Sequence, residues 1–460
     1  MDSIKNNKII NNLIIRIKQF TAEHLKMKLL VTYLIINLAY ILIGSFIFMT
    51  GNITDKFHYL EFSYGLRVLL VLNVIVFGAI CLKKHYKKNI IHLFIVLIAF
   101  FGVISVLFAI NQDVALNGYK QRYEGFFSIL YYLSILLLSS FVSDKYKKVL
   151  VKCILACGVF HAVYAICQVY ELFNVRIYEH TYRHFDETLN RVVSNTRIWA
   201  LGCTTNPNVF GAYMLICISY SMGLFLDNKK IIKKIIYGLL IALFMFGIMI
   251  SNCMSAVVGL TCVGIYILIY SIKNKLWKEL LVIIAIILSI AFLVIKLDKT
   301  KLVRDIKRTT DQTVEIAKGN ADDSYGTNRI FIWKETLKAI PKYWLHGAGI
   351  DNFYYAFDGG PIVYRNMAFD KAHNEYLQVL ITQGVFALIS YLLLFGFITF
   401  KGIKNSFKYK EAYLILPVIG FLVHAFFAFN VIELAPIFYM TLGLCSAKHK
   451  SVKFIGAHND

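Results

Sequence analysis

The sequence predicts an all-α, polytopic integral membrane protein: a bundle of about twelve transmembrane helices with one large folded loop on the outer side. Composition is the first reason. Of 460 residues, 58% are hydrophobic and only 17% charged, and the mean hydropathy is +0.62. A soluble domain of this size cannot cover so much apolar surface. The second reason is repetition. Apolar runs reach or approach the ~20 residues needed to cross a bilayer core. The third is the alternating charge of their connections.

The runs fall at 29–49, 66–82, 90–110, 126–142, 149–171, 209–227, 233–250, 254–272, 279–296, 376–400, 412–430 and 434–446, the last being short and interrupted by Pro436. Every second connection is short and dense in Lys: Lys83, Lys84, Lys87 and Lys88; Lys145, Lys147 and Lys148; Lys229, Lys230, Lys233 and Lys234; Lys273, Lys275 and Lys278; Lys401, Lys404, Lys408 and Lys410. The N-terminal segment, with Lys5, Lys8 and Lys26, and the C-terminal one, with Lys448, Lys450 and Lys453, share this character. The positive-inside rule assigns all of them to the cytoplasm. A net charge of +22 would point to nucleic acid in a soluble chain. Here sidedness explains it, and no nucleic-acid partner is expected.

The predicted organisation follows. Residues 1–28 form a cytoplasmic amphipathic N-terminus with no cleavable signal peptide. Residues 29–296 carry spans one to nine and an outer loop at 172–208. Residues 297–375 form a large extracytoplasmic loop, 376–446 carry spans ten to twelve, and 447–460 are a cytoplasmic tail. Most cysteines lie within apolar runs, as small buried hydrophobes do. Cys203 and Cys253 fall nearer the outer surface, within reach of pairing but not expected to pair. No Cys or His spacing resembles a metal site, and no metal or cofactor is expected.

The two long loops both face outward. The cytoplasmic loops are too short for a nucleotide-sugar site and lack a glycine-rich phosphate loop. An enzyme built this way would work at the outer face, where nucleotide-activated substrates are absent. Its donor would be an activated group already carried across the membrane, for which a lipid-linked diphosphate is the obvious candidate. The outer segments hold suitable groups. The cytoplasmic cations are almost all Lys, whereas Arg122, Arg176, Arg183, Arg191, Arg197, Arg304, Arg308, Arg329 and Arg365 lie outside. Guanidinium grips phosphate oxygens bidentately and stays charged. Arg176, Arg183, Arg304 and Arg308 read as ordinary surface residues, while Arg197 and Arg329 stand in more informative surroundings.

Arg197 precedes Trp199 and the turn Gly202-Cys203-Thr204-Thr205-Asn206-Pro207-Asn208. Asn206 suits an N-cap and Pro207 the first position of the next helix, whose N-terminus favours an anion. Arg329 opens a helical pattern with Ile330, Trp333, Leu337 and Ile340 on one face, Asn328 as its expected cap and Pro341 as its expected end. A cation in a helix's first turn opposes the dipole, so Arg329 serves something other than helix stability. Gly347-Ala348-Gly349 then marks a tight turn. His373 stands at the mouth of span ten, followed by Asn374 and Glu375. An imidazole there can take a proton from a hydroxyl, and Glu375 reads as a second acid/base or an orienting neighbour. His161 and His424, inside apolar runs, read as structural histidines.

These blocks, namely Arg197 to Asn208, Asn328-Arg329 through Trp333 to Gly349, and Ala372-His373-Asn374-Glu375-Tyr376-Leu377-Gln378 with Gly384, resemble the O-antigen ligase / O-antigen polymerase superfamily of membrane glycosyltransferases. Gln121-Arg122-Tyr123-Glu124-Gly125 resembles an earlier block of the same family. The resemblance covers roughly residues 60–445. It implies a GT-C-like fold in the bacterial cytoplasmic membrane. It also implies metal-independent, inverting transfer of a glycan from undecaprenyl diphosphate to an acceptor hydroxyl. By this resemblance His373 is the general base, Arg197 and Arg329 bind the diphosphate with Arg122 as a weaker candidate, and Asn374, Glu375 and Trp333 support the site. The acceptor stays open: lipid A core for a ligase, a second lipid-linked repeat unit for a polymerase, or a protein hydroxyl. The competing class is a polysaccharide flippase or other twelve-span transporter. The short link between spans six and seven and the scarcity of ionisable residues within the spans weigh against it.

Overall fold

A computed structural model describes residues 25–42, 44, 56–82, 89–120, 122–173, 175, 177, 179–186, 191–297 and 302–447. Most of the expected N-terminal amphipathic segment, the Lys83–Lys88 connection, Gln121 and the C-terminal lysines lie outside these residues. Helices dominate. In chain order they begin with α1 (Leu25–Leu42), α2 (Lys56–Cys81), α3 (Ile90–Leu107), α4 (Gln112–Asn117), α5 (Phe126–Ser139) and α6 (Asp144–Val169). A hairpin of β1 (Glu179–Asp186) and β2 (Arg191–Ile198) follows, then α7 (Pro207–Asp227), α8 (Ile231–Ser251), α9 (Met254–Asn274) and α10 (Trp277–Leu297). The large loop holds α11 (Leu302–Ala317), α12 (Tyr325–Tyr343) and a short hairpin of β3 (Val363–Tyr364) and β4 (Met367–Ala368). The chain closes with α13 (Glu375–Gln383), α14 (Val385–Tyr409), α15 (Leu416–His424) and α16 (Ala435–Ser446).

Among the described residues, nine helices are long and apolar enough to cross a bilayer: α1, α2, α3, α6, α7, α8, α9, α10 and α14. The expected spans at 126–142, 412–430 and 434–446 contain shorter helices, α5, α15 and α16. At 1.5 Å per residue, the 14 residues of α5 reach only about 21 Å of a ~30 Å hydrocarbon core. The expected tenth span, 376–400, is two helices. Gly384 separates α13 from α14 with φ +84, and a side chain there would meet the Leu345 carbonyl oxygen at 2.3 Å. Hydropathy runs unbroken through this point. The break comes from backbone that only glycine adopts without strain.

At the centre stands α7, buried from Val209 to Leu226 and packed against α6, α8, α9 and α15. Small residues allow the close approach typical of membrane helices: Gly259 on α9 sits where a Cβ would lie 2.6 Å from the Gly420 carbonyl oxygen of α15. Apolar side chains such as Val68, Val71 and Ile75 on α2, and Leu281, Leu288 and Phe292 on α10, are exposed. In a bundle this apolar, such rows face lipid. The protein is thus a multi-pass membrane protein.

In the large loop, residues 302–375 hold helices, a short hairpin and apolar side chains packed together. Ile332, Phe353, Ile362, Ala372 and Ile381 form its small core. Its Gly-Ala-Gly turn docks on the end of α13: Ala348 N–H donates to the Ile381 carbonyl (2.9 Å) and Gly349 N–H to that of Thr382 (3.0 Å). Two local expectations change. Asn328 is not an extended cap but the last of three left-handed residues, Gly326, Thr327 and Asn328. Pro341 does not end α12, which runs on to Tyr343. The β1–β2 hairpin, with Arg197 opposite His180, was not foreseen in an all-α reading. Val192, Val193, Thr196 and Ile198 supply β-branched residues suited to it. Cys203 and Cys253 are both free and buried.

The predicted sidedness has a direct check. Asn320→Cys, in the large loop, should react from outside the cell with an impermeant thiol reagent, and Asn405→Cys should not. Labelling of both or of neither would overturn the assignment.

Candidate active site

Five distant parts of the chain meet at one cleft: the segment around Arg122 before α5, the start of α7, the start of α12, and the 370–374 and 424–434 segments. The cleft encloses about 590 Å³ of space open to solvent, and its lining includes Arg122, Arg329, His373 and His424 together with Thr205, Asn206 and Asn208 at the entrance to α7. Asn206 caps α7 as its sequence suggests, accepting from Asn208 N–H at 2.8 Å, with Pro207 in the first turn.

Arg329 owes its position to the left-handed run before it. A β-branched residue at φ +61, as Thr327 is, is a true backbone outlier, and such strain gathers at functional sites. The run turns the Gly326 carbonyl back to accept from Arg329 Nη1 (2.6 Å), while Arg329 Nε donates to the Phe427 carbonyl (3.1 Å). Both partners are neutral. No carboxylate pairs with Arg329 among the described residues, and burial lowers its pKa from the ordinary value. It remains a cation whose charge the described residues around it leave uncompensated.

Arg122 differs. Its Nε and Nη2 contact the two carboxylate oxygens of Asp370 at 2.6 and 3.3 Å, and its guanidinium lies 5.3 Å from the Phe429 ring centroid. Burial alone would raise the Asp370 carboxyl, but the Arg122 charge and hydrogen bond, then Lys371, hold it below its usual range.

His373 is clamped through its neighbours. Ala372 N–H donates to Gln378 Oε1 (2.8 Å), and the Ala372 carbonyl accepts from Trp333 Nε1 (3.0 Å). On the other side, Asn374 caps α13 by accepting from Tyr376 and Leu377 N–H at 3.0 and 3.1 Å. The residue between them is left-handed, at φ +49, and its ring meets Phe429 edge-on at 5.1 Å. Burial first, then the Arg329 charge, lowers the His373 pKa to about 3; Asp370 opposes the shift, and Arg122 and Lys371 add to it. The imidazole is therefore neutral at physiological pH and able to accept a proton.

Glu375 turns away from this cleft. Its two oxygens accept from the N–H and the side-chain amide of Asn430 at 2.8 and 2.7 Å, in an adjoining chamber lined by Glu124, Asp351 and Lys371. Of the two roles open to it, this geometry is that of an orienting residue: it ties the 425–434 loop to α13. In the same chamber Lys371 is ion-paired with Asp351. Glu124 accepts from Tyr132 OH (2.7 Å), and burial pushes its carboxyl up to about 8, against Lys371 and the Tyr132 bond. Arg197 lies on strand β2, and its side chain falls outside the described residues.

Of the residues singled out in the sequence, Arg122, Arg329 and His373 line one cleft, and Trp333 and Asn374 hold its histidine. Asp370, Gln378, Phe429 and the Thr205–Glu433 contact (2.8 Å) were missed as site residues. Gln378 and Thr205 lay within the blocks already singled out, and Asp370-Lys371 carried a signal of its own, a charged pair two residues before His373. His424 was taken for a structural histidine, yet it lines the cleft.

Fold and site together define a multi-pass helical membrane protein with a half-buried cation and a neutral histidine in one cleft. Residues 238–392 match the family model described as O-antigen ligase, a match that supports the resemblance to the O-antigen ligase/polymerase superfamily. The match takes in Arg329, Trp333, His373, Asn374 and Glu375 and leaves Arg122, Arg197 and His424 outside. No curated protein matches the chain. The family points to a glycosyltransferase-like role in polysaccharide assembly, with lipid-linked glycan substrates in general.

Proposed function

We propose that this protein transfers a glycan from undecaprenyl diphosphate to an acceptor hydroxyl at the outer face of the bacterial cytoplasmic membrane. The observation that carries the reading is Arg329: a half-buried guanidinium, bonded among the described residues only to backbone carbonyls, in the same cleft as a neutral imidazole. An uncompensated charge in a desolvated site is costly, and a diphosphate would offset it. His373 removes the acceptor hydroxyl's proton as that oxygen forms its bond to the anomeric carbon. The bond from that carbon to the diphosphate oxygen breaks, and the diphosphate leaves with the electron pair. Arg329 stabilises the charge that develops there, with Arg197 proposed as a second cation. Displacement in one step inverts the anomeric configuration, and no step needs a metal. Arg122, already paired with Asp370, shapes the electrostatics of the cleft more than it supplies free charge.

The test is transfer by the purified protein from a lipid-linked oligosaccharide donor, with and without chelator. Release of undecaprenyl diphosphate together with a lengthened or newly glycosylated acceptor supports the proposal; no transfer to lipid-linked, lipid A-core or protein acceptors overturns it.

The His373 shift adds a pH signature. A depressed pKa keeps the base neutral to lower pH, so kcat/KM for the donor, which reports the free enzyme, should hold down to about pH 5. Bound diphosphate screens Arg329 and Arg122, two of the charges that depress His373. The acid limb of kcat, which reports the complex, should therefore lie at higher pH, toward the ordinary histidine value of about 6.5. Superimposable limbs would contradict this coupling.

A further inference from the structure

His424 ends α15 and lines the cleft with Arg329 and His373. It is 3% exposed, and its Nδ1 is buried without a hydrogen-bond partner among the described residues. Its ring otherwise packs on Phe421, with centroids 5.6 Å apart. The contrast with His161, another histidine of the apolar runs, is direct. His161 is also 3% exposed, but its Nδ1 accepts from Cys203 N–H at 3.4 Å. Buried polar atoms in native proteins are almost always paired, and an orphan is a net cost to folding. A phenylalanine would fill the same apolar position without that cost. An imidazole held at this place, lining the cleft, calls for a partner outside the described residues.

We propose that His424 is a substrate-binding residue. As a neutral imidazole it donates a hydrogen bond to an oxygen of the donor's diphosphate when that group enters beside Arg329. This rests on the donor reading above and deepens it. The roles of the two histidines separate: His373 takes the acceptor proton, while His424 and Arg329 hold the group that leaves. The pairing suits its place. A second cation beside Arg329 would add repulsion in the empty site, whereas a neutral donor costs no charge burial and still gives the phosphate oxygen a directional contact.

The experiment titrates undecaprenyl diphosphate into the purified full-length chain, alongside His424→Phe and His424→Gln, with thermal melts of each. His424→Phe is expected to keep or raise the Tm, because the orphan nitrogen is gone, while affinity for undecaprenyl diphosphate falls at least tenfold. His424→Gln, which restores an N–H, is expected to recover part of the loss. In turnover the change should fall mainly on the donor KM. If Phe or Gln binds within twofold of the parent, the proposal is overturned, and a lowered Tm with unchanged affinity marks His424 as a packing residue. Should the Phe variant fail to fold, Gln against Ala decides by the same affinity criterion. If the unaltered chain binds no undecaprenyl diphosphate, the donor reading itself falls; binding that is indifferent to His424 sinks this inference alone.

Discussion

Replacing His373 by Ala is expected to abolish glycan transfer while leaving the protein inserted and expressed. General-base assistance is typically worth ~10²–10⁴-fold, so transfer should fall by at least that lower bound. Polymer or ligated glycan should be missing from gels of a deletion strain carrying the variant. The clamp on the neighbouring residues explains why the fold should survive: Ala372 and Asn374 keep their bonds to Trp333, Gln378 and the α13 amides whatever side chain stands between them. One alternative must be separated. Position 373 is left-handed, at φ +49, and an alanine there carries backbone strain of roughly 1–2 kcal/mol. Asparagine tolerates this conformation better but is no base. His373→Asn should therefore be as inactive as His373→Ala. Near-normal glycan from either variant would remove His373 from the base role.

The second large effect is expected at Arg329. Removing a group that stabilises transition-state charge commonly costs ~10²–10³-fold, and Arg329→Ala should reach that range with purified lipid-linked donor. Lys should rescue only partly. It keeps the charge but has no planar fork, and here one nitrogen is already committed to the Gly326 carbonyl and another to that of Phe427. Loss of these anchors also frees the 425–434 loop, so donor KM should rise as kcat falls. Stability should fall little or even improve, because an uncompensated buried charge is removed. Full activity of Arg329→Ala would take this residue out of the site.

Much of this site was legible in one dimension. The alternation of Lys-rich and Arg-bearing connections predicts sidedness, because each short loop's charge is read independently of the others. Arg329 stood out as a cation at the wrong end of a helical pattern, and His373 as a histidine at the edge of an apolar run. Both observations use only neighbours a few residues away. The Asn206-Pro207 helix start is of the same kind, and Asn206 caps α7 as its type implies.

What the sequence by itself determined is the membrane class and three of the groups that line the cleft, Arg122, Arg329 and His373, since composition, hydropathy and local charge act at short range along the chain. Only the tertiary structure decided how those groups are used. Arg122 is spoken for by Asp370, some 250 residues further on, and Glu375 faces Asn430 instead of the cleft. Gly384 breaks an apolar run that hydropathy reads as continuous. His424 belongs to the site because α15 ends where α12 and the 370–374 segment converge. Each of these depends on where a side chain points relative to an element far away in sequence, and that is settled by packing and by the pairing of buried polar groups.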